Sequence, residues 1–143
     1  MLKGIPSLLS PDLLKILMEM GHGDEIVLAD ANFPAAACAR RLVRLDGHPM
    51  PALLDAILRF FPLDTYVPEP VALMQVVPGD PESPPIWDRY KAILGSHGLD
   101  AARIGQVERH EFYDRARQAY AVVATGEGAL YANLILKKGV VFD

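Results

Sequence analysis

Leu13, Leu14, Leu17 and Met18 recur at spacings of one, three and four, the stripe of an amphipathic helix. Ser10-Pro11-Asp12 stands ahead of them with a side-chain acceptor for free amides, a proline suited to the first helical position and an acid near the positive end of the dipole. This predicts a helix to about Met20, left through a positive φ at Gly21, with His22-Gly23 on the exit turn. Glu25 to Ala29 is short, β-branched and apolar until Asp30, which predicts a buried strand whose last residue emerges at the sheet's edge, a common address for ligand chemistry. Asn32-Phe33-Pro34 reads as a turn, and Ala35 to Arg40 stays open between helix and irregular chain.

Arg41 to Leu45 predicts a short strand closed by Asp46-Gly47. A helix follows from Pro51, carrying Leu53, Leu54, Ile57, Leu58 and Phe61. Val71 to Val77 predicts another strand, running into Pro78 to Pro85, where four prolines in eight residues forbid regular hydrogen bonding. Ile86 to Leu94, ending at Gly95, and Glu111 to Ala119, with Arg115 and Arg117 in its later turns, predict two more helices. Tyr120 to Thr125 and Leu130 to Lys137 predict strands joined by Gly126-Glu127-Gly128-Ala129 as a hairpin turn. Helices alternate with near-continuous apolar strands, so the expected fold is an α/β sheet with helices on both faces, within one domain spanning residues 1–143.

Composition narrows the partners. At 143 residues, 51% hydrophobic and 22% charged, the chain can bury a core as a single domain. Its formal net charge of −4 leaves no basic excess to neutralise a phosphate backbone, so no nucleic acid is expected. Cys38 is the only cysteine, which excludes an intrachain disulfide and a zinc site built on cysteines and fits a reducing compartment. No basic leader precedes an apolar stretch, and no apolar run reaches the 18 residues or so that a membrane span needs; a cytoplasmic home and no membrane partner are expected.

Most motifs fall away. Gly126-Glu127-Gly128 lacks the third glycine and the Gly-Lys-Ser/Thr of phosphate loops. His22, His48, His97 and His110 have no pairing at ligand spacing, so no metal is expected. Ser7, Ser10, Ser83 and Ser96 stand in no Gly-x-Ser-x-Gly setting, and Cys38 among alanines reads as a small buried thiol. A few polar residues remain at turns and strand ends. Each has an ordinary explanation: His22 as a cap at the end of its helix, Asp30 as the start of an Asx turn, Tyr131 and Asn133 as one face of a strand. From these residues alone the function stays open.

Longer stretches carry more. Met20-Gly21-His22-Gly23-Asp24-Glu25-Ile26-Val27-Leu28-Ala29-Asp30-Ala31-Asn32-Phe33-Pro34, Glu108-Arg109, Phe112 to Glu127 and Leu130 to Gly139 resemble the RbsD/FucU sugar-mutarotase family in order and spacing, over nearly the whole chain. The resemblance implies an RbsD-like three-layer α/β/α fold and an isomerase that interconverts the α and β anomers of L-fucose without a cofactor. By position, His22 matches the family's proton donor. Asp30 and Arg109 match sugar-contacting residues, and Tyr131-Ala132-Asn133 matches the segment that lines the site. A histidine commonly replaces Arg109 in the D-ribose pyranase branch, which favours the fucose branch. The proline-rich loop and the surroundings of Cys38 match no motif of the family and receive no role.

Residue chemistry agrees with that expectation. Mutarotation removes a proton from the anomeric hydroxyl and delivers one to the ring oxygen, and imidazole, with an unperturbed pKa of about 6.5, suits such traffic. Asp30 accepts from neighbouring hydroxyls, Arg109 offers a rigid fork of donors, and Asn133 offers both donor and acceptor. Tyr131 or Tyr120 is expected to face the sugar, and water or a tyrosine hydroxyl to be the second proton partner. The resemblance also implies a homo-oligomer, a decamer of two pentameric rings with the sugar cleft near a subunit boundary; the apolar tail Val140-Val141-Phe142 suits an interface. Two other readings stay open: a D-ribose pyranase using the same ring opening, and a monosaccharide-binding module without catalysis.

Overall fold

A computed structural model of the chain describes residues 1–80 and 83–143. Strands β1 (Glu25–Ala29), β2 (Leu42–Leu45), β3 (Val71–Met74), β4 (Ile104–Val107), β5 (Ala121–Thr125) and β6 (Leu134–Lys137) form one sheet in the order β2-β5-β1-β6-β3-β4. β6 runs antiparallel to both neighbours, β1 and β3, whereas β1, β5 and β2 pair in parallel, as do β3 and β4. All strands except β6 therefore point the same way, and their carboxyl ends share one edge of the sheet.

Helices α1 (Pro11–Glu19), α2 (Ala35–Cys38), α3 (Met50–Leu58), α4 (Pro85–Ser96) and α5 (Arg109–Gln118) cover both faces. Side chains alternate across the strands, so Ile26 and Leu28 of β1 join α1, α3 and α4 in one core, while Val27 and Ala29 join α2 and α5 in another. The expected three-layer architecture is the observed one.

Several boundaries differ from the sequence-based expectation. Ser10 caps α1, its hydroxyl accepting from the Leu13 amide at 3.2 Å, but the helix exits through extended Met20, and the positive φ falls on Gly23 instead of Gly21. Met18 is exposed, and Ile16 packs inward beside Leu13 and Leu17. α3 begins at Met50 and stops before Phe61, and β3 ends at Met74 instead of Val77. Pro85 opens α4, a position that needs no amide proton, and Gly95 lies inside that helix. The rest of the proline-rich stretch has no regular structure at 78–80 and 83–84; Pro81 and Glu82 lie outside the described residues. α5 starts two residues early, at Arg109, because the Glu108 carboxylate caps it by accepting from the amides of His110 and Glu111.

The hairpin expectation fails. β5 and β6 are separated by β1, so the segment 126–133 passes over the carboxyl end of β1 instead of turning back on itself. Leu130 to Asn133 is consequently outside the strand. β4 was not anticipated: it is a four-residue edge strand containing Gly105, with only Gly105 and Val107 buried.

Candidate active site

Asp30 follows β1, Asp80 lies in the loop after β3, Arg109 follows β4, and Tyr131 to Asn133 lead into the antiparallel β6. This topology brings their side chains or backbone to one edge of the sheet, where chain order switches between β1 and β3, a setting in which open α/β sheets bind ligands. An open pocket of about 280 Å³ forms there. Its polar lining comprises Asp30, Asn32, Asp80, Arg109, Tyr131 and Asn133, and Phe33, Met74, Val77, Tyr113 and Leu130 supply apolar and aromatic walls.

Asp30, Tyr131 and Asn133 are held from behind. The Asp30 amide donates to Asn133 Oδ1 at 2.7 Å, and Asp30 Oδ1 accepts from the Asn32 amide at 3.0 Å. Burial pushes the Asp30 carboxyl above its ordinary value, with the amides of Asn32 and Phe33 and the Asn133 side chain opposing it. Arg109 is the first residue of α5, and its guanidinium carbon lies 5.7 Å from the centre of the Tyr113 ring. It is exposed at the pocket, and its interaction with the Tyr113 hydroxyl raises its pKa above the ordinary value.

Tyr131 adopts φ 56°, the left-handed region, as the single non-glycine residue with positive φ among those described. Its carbonyl accepts from the Trp87 indole at 2.9 Å, and the Ala132 carbonyl accepts from the Tyr90 hydroxyl at 2.7 Å. Side chains of α4 thus take the carbonyls that a strand would have offered to a neighbour, which is why 131–133 does not pair. The Tyr131 hydroxyl accepts from the Val77 amide at 3.2 Å and donates to the Asp80 carboxylate. That carboxylate holds the phenol's proton, raising the Tyr131 pKa above its ordinary value. Ala132 is fully buried and contributes backbone only.

His22 and Tyr120 are elsewhere. Both precede strands, β1 and β5, and so sit at the amino edge, opposite the pocket. The five residues of β1 alone put roughly 17 Å between its two ends. His22 Nε2 lies 3.1 Å from Asp64 Oδ1, and its ring centre is 5.3 Å from that of Tyr66. The Asp64 side chain is 3% exposed and that of His22 46%, so a buried carboxylate presents the imidazole to solvent. The Tyr66 amide and then His22 hold the Asp64 carboxyl below its ordinary value. Tyr120, by contrast, donates its hydroxyl to Glu19 at 2.9 Å beneath the Arg41 guanidinium. The structure therefore gathers Asp30, Arg109, Tyr131 and Asn133, and leaves His22 and Tyr120 out of that pocket within one chain.

Sequence reasoning missed Asp80 and Asp64. Asp80 sits in the proline-rich loop that offered no motif, and only the sheet's topology brings it to Tyr131. Asp64 lies 42 residues from His22 with no spacing rule to link them. Among the described residues no group of three or more His, Cys, Asp or Glu side chains converges as a metal site, and no helix is long and apolar enough to cross a membrane.

Known proteins match the chain over nearly its whole length. A family model described as the RbsD / FucU transport protein family matches residues 3–141. A human protein named fucose mutarotase is 55% identical over 145 residues, covering 97% of this chain and 94% of its own. The crystal structure of the fucose mutarotase from Streptococcus pneumoniae in complex with L-fucose superposes with a TM-score of 0.96 at 57% identity, covering 99% of this chain and all of that one. Bacillus subtilis RbsD complexed with D-ribose is less similar, with a TM-score of 0.74 and 25% identity over 94% of this chain and 95% of that one.

Proposed function

The chain belongs to the RbsD/FucU family, and from that premise we propose that it is an isomerase interconverting the α and β anomers of L-fucose. The single observation that carries this reading is the convergence of Asp30, Arg109, Tyr131 and Asn133 on one open pocket, in a chain so similar to a mutarotase crystallised with L-fucose. The weaker likeness to the ribose-bound relative sets D-ribose second.

The chemistry breaks and re-forms the C1–O5 bond with proton transfers as its assistance, so the reading invokes no cofactor. Asp30 accepts from two sugar hydroxyls while Arg109 and the Asn133 amide donate to others, which fixes the ring's pose. His22 delivers a proton to the ring oxygen and Tyr131 serves the anomeric hydroxyl. Because His22 lies at the opposite edge of its own sheet, the His22 that serves a pocket belongs to a neighbouring copy of the chain. Two features support that arrangement: the imidazole faces solvent on its buried Asp64 support, and Leu130, 67% exposed, lies bare on the pocket's rim. The cleft then closes at a subunit boundary in a ring-forming homo-oligomer, a decamer of two pentamers, working in the cytoplasm.

Saturation-transfer NMR on L-fucose, L-galactose and D-ribose tests the reading directly. Anomer exchange is expected to be fastest for L-fucose. His22→Ala is expected to slow that exchange by about 10²-fold or more while sugar binding persists. Exchange at the uncatalysed rate with wild-type protein overturns the assignment, and preference for D-ribose replaces it with the pyranase reading.

A further inference from the structure

A neutral phenol is a poor proton acceptor: to take the anomeric proton it must release its own, and phenols ordinarily do so only near pH 10. Tyr131 nonetheless lines the pocket, as Tyr113 does, and is held there at the cost of a left-handed backbone at a residue with a large side chain. The hydroxyl is committed on two sides. It accepts from the Val77 amide and donates to Asp80, a carboxylate that itself lines the pocket. The Val77 amide occupies one acceptor position and leaves another for a sugar hydroxyl. Asp80, for its part, is tied back by its amide to the Val77 carbonyl at 3.2 Å, so one short turn supplies both contacts.

We propose that Asp80 is a positioning residue for mutarotation, holding the Tyr131 phenol in place and taking its proton as Tyr131 takes the sugar's. The inference rests on the mutarotase reading of this pocket. In ring opening the anomeric O1–H bond breaks and its proton passes to Tyr131 Oη, while the proton already on Oη passes to Asp80. The electron pair left on O1 forms the carbonyl as the C1–O5 bond breaks, and O5 receives a proton from the imidazolium. Closure on the other face of the carbonyl returns each proton by the reverse route, so none is gained or lost over the cycle. The other charged and titratable groups lining the pocket are Arg109 and Tyr113 from α5 and Asp30 after β1. Arg109 stabilises negative charge on the phenol and so works against the hold of Asp80 on its proton.

The test pairs NMR exchange kinetics on L-fucose with 13Cζ-tyrosine spectra of the full-length protein. Asp80→Asn is expected to lower kcat about 10- to 100-fold with KM within about twofold, and Asp80→Glu to recover part of the loss. At neutral pH, in sugar-free protein, the Tyr131 Cζ resonance is expected to move in Asp80→Asn and to move back toward its wild-type position in Asp80→Glu. An active wild type with kcat intact in Asp80→Asn, or with KM alone changed, overturns the relay and leaves the functional reading standing. An unmoved Tyr131 resonance overturns the pairing itself. A wild-type protein that does not accelerate exchange overturns both.

Discussion

Asp30 and Asp64 are carboxylates at opposite edges of one sheet, and their surroundings shift them in opposite directions. Burial raises Asp30, so the folded chain holds that proton more tightly than the unfolded chain does. Its favourable contribution to stability is full below the ordinary carboxylate pKa of about 3.9 and is lost as pH rises through the raised value. The ionised form of Asp30 therefore costs stability, a cost consistent with the sugar-binding role proposed for it. Asp30→Asn keeps an oxygen for the Asn32 amide, so calorimetry is expected to give a higher Tm than wild type at pH 7, a shrinking difference toward pH 4, and greatly weakened fucose turnover. Asp64 behaves the other way. Its lowered value means a contribution present above the ordinary carboxylate pKa and lost as pH falls through the lowered one. Asp64→Asn is expected to lower Tm at pH 7, and a Tm gain at that pH would contradict the hydrogen bonds drawn to it.

At the scale of elements, the connection from β5 to β6 builds the pocket. Gly126 packs so tightly that an added Cβ would stand 2.1 Å from the Asp46 carbonyl oxygen, a backbone atom in the turn after β2. Beside it, Glu127 accepts from the Met50 amide at the start of α3 through its side chain and from the Ala31 amide through its carbonyl. Gly126→Ala forces that chain apart and is expected to cost about 1–3 kcal/mol in denaturant unfolding. It is also expected to raise the KM for fucose, because Ala31 carries Asp30 with it. The elements that sequence patterning predicted well are those whose pattern is decided locally: the Ser10 cap of α1, the apolar run of β1, the Asp46-Gly47 turn. The connection 126–133 was misread because the choice between hairpin and crossover depends on β1, nearly a hundred residues earlier, filling the gap between two apolar strands. β4 was missed for a related reason, since a four-residue edge strand with a glycine has too little periodicity to announce itself. Asp30, Arg109, Tyr131 and Asn133 were legible through resemblance, and the ends of strands explain why they meet. Asp80 and Asp64 were not legible, because each gains meaning only from a partner that the fold delivers.

For the whole molecule, the decisive fact is that the proposed acid and the proposed sugar ligands occupy opposite edges of the sheet. A single isolated chain cannot bring them together without breaking β1, whose central residues are fully buried. The proposed mechanism therefore requires assembly, and light scattering is expected to give a mass well above the 15.7 kDa of one chain. A sharper check uses two inactive variants. His22→Ala retains an intact pocket but offers no imidazole, and Asp30→Asn retains the imidazole but has a damaged pocket. If each site draws its histidine from the adjacent copy, random co-assembly of equal amounts restores about a quarter of the sites, wherever an Asp30→Asn chain faces a His22→Ala pocket. Co-expression followed by NMR exchange measurement is expected to recover about that fraction of wild-type activity, whereas mixing the separately assembled variants without subunit exchange recovers none. Sites built within one chain would leave the co-expressed sample no more active than the average of its parents, because no arrangement of whole defective subunits then contains a complete site.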